Sequence, residues 1–93
     1  GRCRVRANLH DLTAQICRFM QWLREQELQK HPGVAETVDW AQALLALGVA
    51  ELDGEVVRDT LGCFLKYRGD IDTLRATDLS GVLGRIAAST RND

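Results

Sequence analysis

Aromatic residues, proline and net charge are all scarce in this sequence, and each shortage narrows its class. Aromatics make up 5% of the 93 residues, there is one proline, and the hydrophobic content is 45%. This profile favours packed helices over a β-sandwich, whose strands are rich in aromatic and β-branched residues. A chain of this length forms one small domain. We therefore predict an all-α fold, a small bundle of four to five helices.

The low net charge argues against nucleic acid as a partner. Twelve basic and thirteen acidic side chains are interspersed and give a net charge of -1, whereas nucleic-acid-binding domains present a basic face. The one local excess, Arg2, Arg4 and Arg6, is predicted to be part of a solvated linker. No run approaches the roughly 18 apolar residues of a membrane-spanning helix, so no membrane partner is expected.

Cysteine and catalytic motifs are sparse too. Cys3, Cys17 and Cys63 form no CxxC pair, which predicts reduced thiols in a cytoplasmic protein and no metal site. Cys17 and Cys63 fall in predicted helices, where a thiol behaves as a small hydrophobe. There is no phosphate-binding GxxxxGKS/T loop and no HExxH. Asp70 and Asp72 are spaced as in a calcium loop, but the required later residues are missing. We predict no catalytic residue.

Hydrophobic periodicity and capping residues predict the order of the helices. The predicted helices are Leu9–Leu28 with Asn8 as its cap, Val34–Leu47 ending at Gly48, Gly54–Tyr67 capped by Asp53, a short turn or helix at 69–75, and Asp78–Ala88 capped by Thr77. From Trp40 to Leu47 the second helix is apolar almost all round, which predicts a buried central element. Residues 1–8 are predicted to be a linker, 9–88 the helical domain and 89–93 a tail.

The stretch from Lys30 to Gly48 carries a family resemblance. It reads KHPGVAETVDWAQALLALG and resembles the lid region of MoxR-like AAA+ ATPases, which often carry K-P-P-G-V-A-E-T-I/L-D-W-A-R-A-L-L-A-L-G. Four short stretches that follow, from Leu52-Asp53 to Leu65-Lys66-Tyr67-Arg68, resemble the continuation of that pattern. The resemblance covers roughly residues 5 to 75 and is most specific in the middle segment.

That resemblance implies a fold and a role. It implies a helical lid joined to an α/β nucleotide-binding core, which would bind ATP and Mg²⁺ and make the parent protein an ATPase. It implies contacts with neighbouring subunits of a chaperone-like ring, and a von Willebrand factor A domain protein as a further partner. The lid alone is not expected to be a catalyst.

The resemblance also implies where this lid meets the nucleotide. The implied cofactor-binding residues are Lys30, Gly33, Val34, Ala35, Glu36 and Thr37. Many AAA+ lids present a sensor-2 Arg to the γ-phosphate here, and this sequence has none; Lys30 is the nearest cation. A helix N-terminus can bind an anion through its N–H groups, but Glu36 would oppose one. Adenine or a partner chain is therefore favoured over phosphate.

Two other functions compete with this one. The first is a helical protein–protein interaction adaptor without a nucleotide role, which would expose a contiguous apolar patch around Trp22 and Leu28. The second is DNA binding through a helix-turn-helix formed by the second and third helices. The connection from Gly48 to Asp53 is a little long for that motif, and the third helix carries both signs of charge rather than a basic face.

Overall fold

A computed structural model describes the backbone of residues 2–91 and the side chains of residues 12–89. Within those residues it contains five α-helices, one 3₁₀ turn and no strand. The elements are α1 (Arg2–Arg24), α2 (Val34–Ala46), α3 (Gly54–Asp59), the 3₁₀ turn (Leu61–Cys63), α4 (Arg68–Arg75) and α5 (Leu79–Arg91). The predicted all-α bundle is confirmed. None of these helices is long and apolar enough to cross a membrane.

Helix α1 is displaced toward the N-terminus relative to the prediction. It begins at Arg2, so that Asn8 lies inside the helix and residues 2–8 of the predicted linker are α-helical. It ends at Arg24 rather than Leu28, because the Gln26 side chain and two short-range backbone bonds satisfy the carbonyls of Trp22 and Leu23. The helix buries an apolar stripe that consists of Leu12, Ile16, Phe19, Met20 and Leu23. The side chains of Leu9 and Asp11 lie outside the described residues.

Helix α2 has nearly the predicted bounds but not the predicted burial. Gly48 follows it with a φ of 75°, the left-handed conformation that glycine adopts most readily at a helix C-terminus. Only Trp40 and Leu44 of this helix are buried. The expectation of a central element buried all round is wrong, because α2 packs through one face and leaves the other uncovered.

The predicted third helix is broken into two pieces. Asp53 caps α3 as predicted, since its Oδ1 accepts a hydrogen bond of 2.8 Å from the Val56 N–H. The helix stops at Asp59, and a 3₁₀ turn follows. At the break the Thr60 hydroxyl donates to the Val56 carbonyl and accepts from the Trp40 indole N–H at 2.9 Å. Side-chain bonding of this kind competes with regular helix.

The chain after Tyr67 forms two helices that complete the bundle. The predicted turn or helix at 69–75 is α4, and its first-turn residue Asp70 is buried. Helix α5 begins one residue late and reaches Arg91; Asn92 and Asp93 lie outside the described residues. Asp78 caps it instead of Thr77, because its Oδ1 accepts from the Gly81 N–H at 3.2 Å.

The core is built on an aromatic cluster. The ring centroids of Trp40 and Phe64 are 4.5 Å apart, and Phe19 lies 5.5 and 6.1 Å from them. Distances of this size are typical of favourable edge and offset packing. Cys17 and Cys63 both lie in helical segments, as predicted, and both are exposed rather than packed in the core. Cys3 lies outside the described side chains.

Candidate functional site

The connection that leads into α2 is held by a carboxylate from α4. The Asp70 Oδ1 accepts from the Gln29 N–H at 2.8 Å, and its Oδ2 accepts from the Lys30 N–H at 3.1 Å. Next to these bonds, the His31 Nε2 donates to the Gln26 carbonyl at 2.8 Å. Lys30, a candidate site residue, is therefore fixed at its backbone while its side chain is exposed.

The start of α2 is closed by its own residues. The Gly33 N–H donates to the Glu36 Oε1 at 3.0 Å, which is one half of a capping box. The Gly33 carbonyl accepts from the Thr37 N–H at 3.1 Å and from the Thr37 hydroxyl at 2.9 Å. Gly33, Glu36 and Thr37 thus form one hydrogen-bonded unit, so part of the donor capacity that an anion would use is already engaged.

The charge of Glu36 decides what this unit can bind. Hydrogen bonds from its own backbone N–H and from that of Gly33 lower the pKa of Glu36 below its ordinary value of 4.5, and Lys66 and Lys30 lower it further. The Lys66 ammonium lies 3.7 Å from the Glu36 Oε2. Glu36 is therefore ionised at neutral pH and repels phosphate oxygens. A group that donates hydrogen bonds, such as the amino group of adenine, suits it better.

The first turn of α2 exposes apolar surface. Val34 is 79% exposed and Ala35 is also exposed. On one side of Val34 a groove of about 260 Å³ separates α1 from α2. Its lining residues are Cys17, Met20, Gln21, Arg24, Val34, Thr37 and Val38. Arg24 is the one charged residue in that lining, and its side chain is exposed.

The six predicted site residues fall into three groups according to their contacts in the structure. Gly33, Glu36 and Thr37 are joined by hydrogen bonds, whereas Val34 and Ala35 offer exposed apolar surface beside them. Lys30 acts on Glu36 through its charge. No pattern in the sequence indicated that Asp70 and Lys66 contact this segment, which lies 30 and more positions earlier. A short-range pattern carries no signal for such contacts.

The residues around α2 fit only part of the cofactor that the resemblance implies. Within the described part of the chain, no group of three or more His, Cys, Asp or Glu side chains could hold a metal ion. An adenine ring could meet Glu36 with its amino group and the exposed surface of Val34 and Ala35 with its face.

The apolar patch expected of an adaptor lies elsewhere than predicted. Trp22 and Leu28 are half-buried and pack against the core. Trp22 lines a second groove of about 280 Å³ together with Val82 and Ile86 of α5. The large exposed apolar side chains of α2 are Val34, Val38 and Leu45, with Leu47 just after the helix. The candidate docking surface is therefore the outer face of α2.

No protein-family model, curated protein or solved structure gives a significant match to the chain.

Proposed function

We propose that this chain is the lid domain of a MoxR-like AAA+ ATPase, a helical domain that closes over ATP bound by an α/β core. In this proposal the core supplies the sites for the phosphates and Mg²⁺. The lid also contacts a neighbouring subunit of a cytoplasmic, chaperone-like ring, and a von Willebrand factor A domain protein is the expected accessory partner. The observation that supports this proposal is the sequence KHPGVAETVDWAQALLALG. In the structure it forms a connection anchored by hydrogen bonds, a capped helix N-terminus and a helix with an exposed apolar face.

The residues that carry the resemblance have distinct structural roles, which supports the proposal. Gly33 and Glu36 close the start of α2, Trp40 fills the core, and Gly48 ends the helix with a positive φ. The run is thus a complete structural unit with a defined beginning, interior and end. A family that reuses this unit would need these residue types at this spacing.

The chemistry of the site narrows the proposed role. Ionised Glu36 disfavours phosphate, so the lid would contact the adenine end of the nucleotide or the adjoining protein surface. A lid responds to nucleotide only if its contacts differ between the open and closed states. Closure that brings Val34 and Ala35 against the nucleotide would provide such a difference.

The test is an amide NMR titration of the isotope-labelled chain. We expect an ATP analogue with Mg²⁺ to bind the isolated chain with a dissociation constant of about 1 mM or weaker, about -4 kcal/mol. With a separately expressed MoxR-like core domain and the nucleotide together, we expect shifts at residues 30–37. Hydrolysis of ATP by the isolated chain would contradict the proposed lid function. So would chemical-shift changes that appear when the core is added but do not depend on nucleotide.

The second candidate is a protein–protein interaction adaptor without a nucleotide role, and the exposed face of α2 favours it. Val34, Val38 and Leu45 fall within about 40° of one another at 3.6 residues per turn. Such stripes are used to dock amphipathic helices. For an adaptor, Val38→Asp would abolish partner binding whether or not nucleotide is present. Ala88→Asp, at an exposed position of α5, is the matched control.

A further inference from the structure

Residues 60–70 hold residues 29–40 at three separate points. The Thr60 hydroxyl accepts from the Trp40 indole at 2.9 Å, the Lys66 ammonium lies 3.7 Å from the Glu36 carboxylate, and the Asp70 carboxylate accepts from two backbone N–H groups. These contacts join the beginning, middle and end of one segment to another that follows it by some 20 to 40 positions. The connection and the first half of α2 are therefore attached at three points to the chain between the end of α3 and the first turn of α4.

The contact made by Asp70 requires the burial of a carboxylate. Asp70 is 3% exposed, and it is the one buried acidic or basic residue among those with described side chains. Burial of a carboxylate is unfavourable unless hydrogen bonds replace its water. The N–H groups of Gln29 and Lys30 supply that replacement. The cost of burial is thus offset only while the connection keeps this position.

The anchor lies close to the candidate site along the chain. Only His31 and Pro32 separate the fixed N–H of Lys30 from the capping N–H of Gly33. Pro32 has a fixed φ, and His31 is bonded to the Gln26 carbonyl. Little conformational freedom remains between the two anchors, so the position of Lys30 sets the position at which α2 begins.

We propose that Asp70 is a positioning residue for the segment formed by residues 30–37, and that it couples the orientation of α4 to that segment. Displacement of α4 would shift the start of α2 and change its contact with a bound ligand. Only the identification of that ligand as nucleotide bound by the core rests on the proposed lid function.

The first part of the test measures positioning without nucleotide. Native-state hydrogen exchange is followed by NMR in the wild type, Asp70→Ala, Asp70→Asn and the control Asp72→Asn, whose side chain is exposed on the same helix. Since two hydrogen bonds to a charged acceptor are lost, we expect exchange at Gln29 and Lys30 to be roughly 10- to 100-fold faster in Asp70→Ala. Exchange at Val82 and Leu83 of α5 should accelerate much less, because those amides exchange only when the whole domain opens.

The conservative variant Asp70→Asn tests for partial rescue of protection, and it keeps the test decisive if Asp70→Ala does not fold. Asp70→Asn keeps one carbonyl oxygen and presents an NH₂ group in place of the other oxygen. We expect it to restore protection at one of the two amides and to remain folded. Asp72→Asn should match the wild type at both.

The second part of the test measures function. In the presence of core and ATP analogue, we expect at least about tenfold more core to be needed for half-maximal shifts at residues 30–37 in Asp70→Ala, with Asp72→Asn unchanged. Unchanged exchange at Gln29 and Lys30, or a uniform acceleration in every helix, would overturn the positioning role. A wild type without any nucleotide response would overturn the lid function, while the exchange results would still decide the role of Asp70.

Discussion

The two faces of α2 are both apolar, yet only one is packed. Trp40 and Leu44 on the inner face have no exposed surface, whereas Val38 and Leu45 on the outer face are 47% and 52% exposed. The neighbours Leu44 and Leu45 are chemically identical and differ only in direction. Hydrophobicity alone therefore does not determine which face of a helix enters the core.

What distinguishes the inner face is a partner of matching shape and polarity. Trp40 lies between Phe19 and Phe64, and its indole N–H reaches the Thr60 hydroxyl. A buried indole needs such an acceptor, because an unpaired N–H loses its bonds to water. The outer face has no polar anchor of this kind, and its large apolar side chains remain exposed.

The largest effect on stability is expected at Trp40, at the centre of the inner face. Trp40→Ala removes the largest fully buried side chain, and we expect it to lower the free energy of unfolding by about 3–5 kcal/mol. Urea denaturation followed by circular dichroism measures the change. Trp40→Phe should lose less, because it keeps an aromatic ring beside Phe64. Equal losses in the two variants would contradict the packing role of the ring.

The most direct test of the comparison uses the two adjacent leucines. Leu44→Ala should destabilise the fold by about 2–5 kcal/mol because it leaves a cavity in the core. Leu45→Ala should change stability by no more than about 0.5 kcal/mol, as expected for a substitution on an exposed surface. Denaturant midpoints of the two variants are compared under identical conditions. A reversed order would mean that the outer face, not the inner one, is packed.

A smaller effect is expected at the polar anchor. Thr60→Val keeps the shape of the side chain but leaves the Trp40 N–H without its acceptor, which should cost about 1–3 kcal/mol. Thr73→Val is the control, since the Thr73 hydroxyl makes a comparable bond to the Gly69 carbonyl at an exposed site. A double-mutant cycle with Trp40→Phe should then give a non-zero coupling energy; strict additivity would argue against the bond.

The smallest effect is expected at Glu36, where α2 begins. Because the folded-state pKa of Glu36 is lowered, the ionised form stabilises the fold above pH 4.5, and this contribution is lost as the pH falls below that value. We expect Glu36→Gln to be less stable than the wild type at pH 7 and the difference to shrink toward pH 3. Thermal unfolding across this range measures it, with Glu55→Gln as the control. A stability difference that grows as the pH falls would contradict a lowered pKa of Glu36 in the folded state.

Much of the local structure follows from short-range sequence patterns. The bounds of α2 to within one residue, the Asp53 cap and the turn at Gly48 depend on residues within a few positions of one another, and these predictions are confirmed. For the candidate site, the sequence indicated that Glu36 would oppose an anion. It did not indicate that the carboxylate would close the helix start itself or be paired with Lys66.

The remaining features depend on contacts between distant parts of the chain. The helix break at Thr60 accompanies a bond to Trp40, 20 positions earlier, and Asp70 is buried because amides 40 and 41 positions earlier satisfy it. The sequence by itself determined that the chain is helical, where α2 begins and ends, and which residues could cap it. Only the tertiary structure decided which face of α2 is buried and which carboxylate fixes its start, because burial and hydrogen bonding depend on which residues meet after folding.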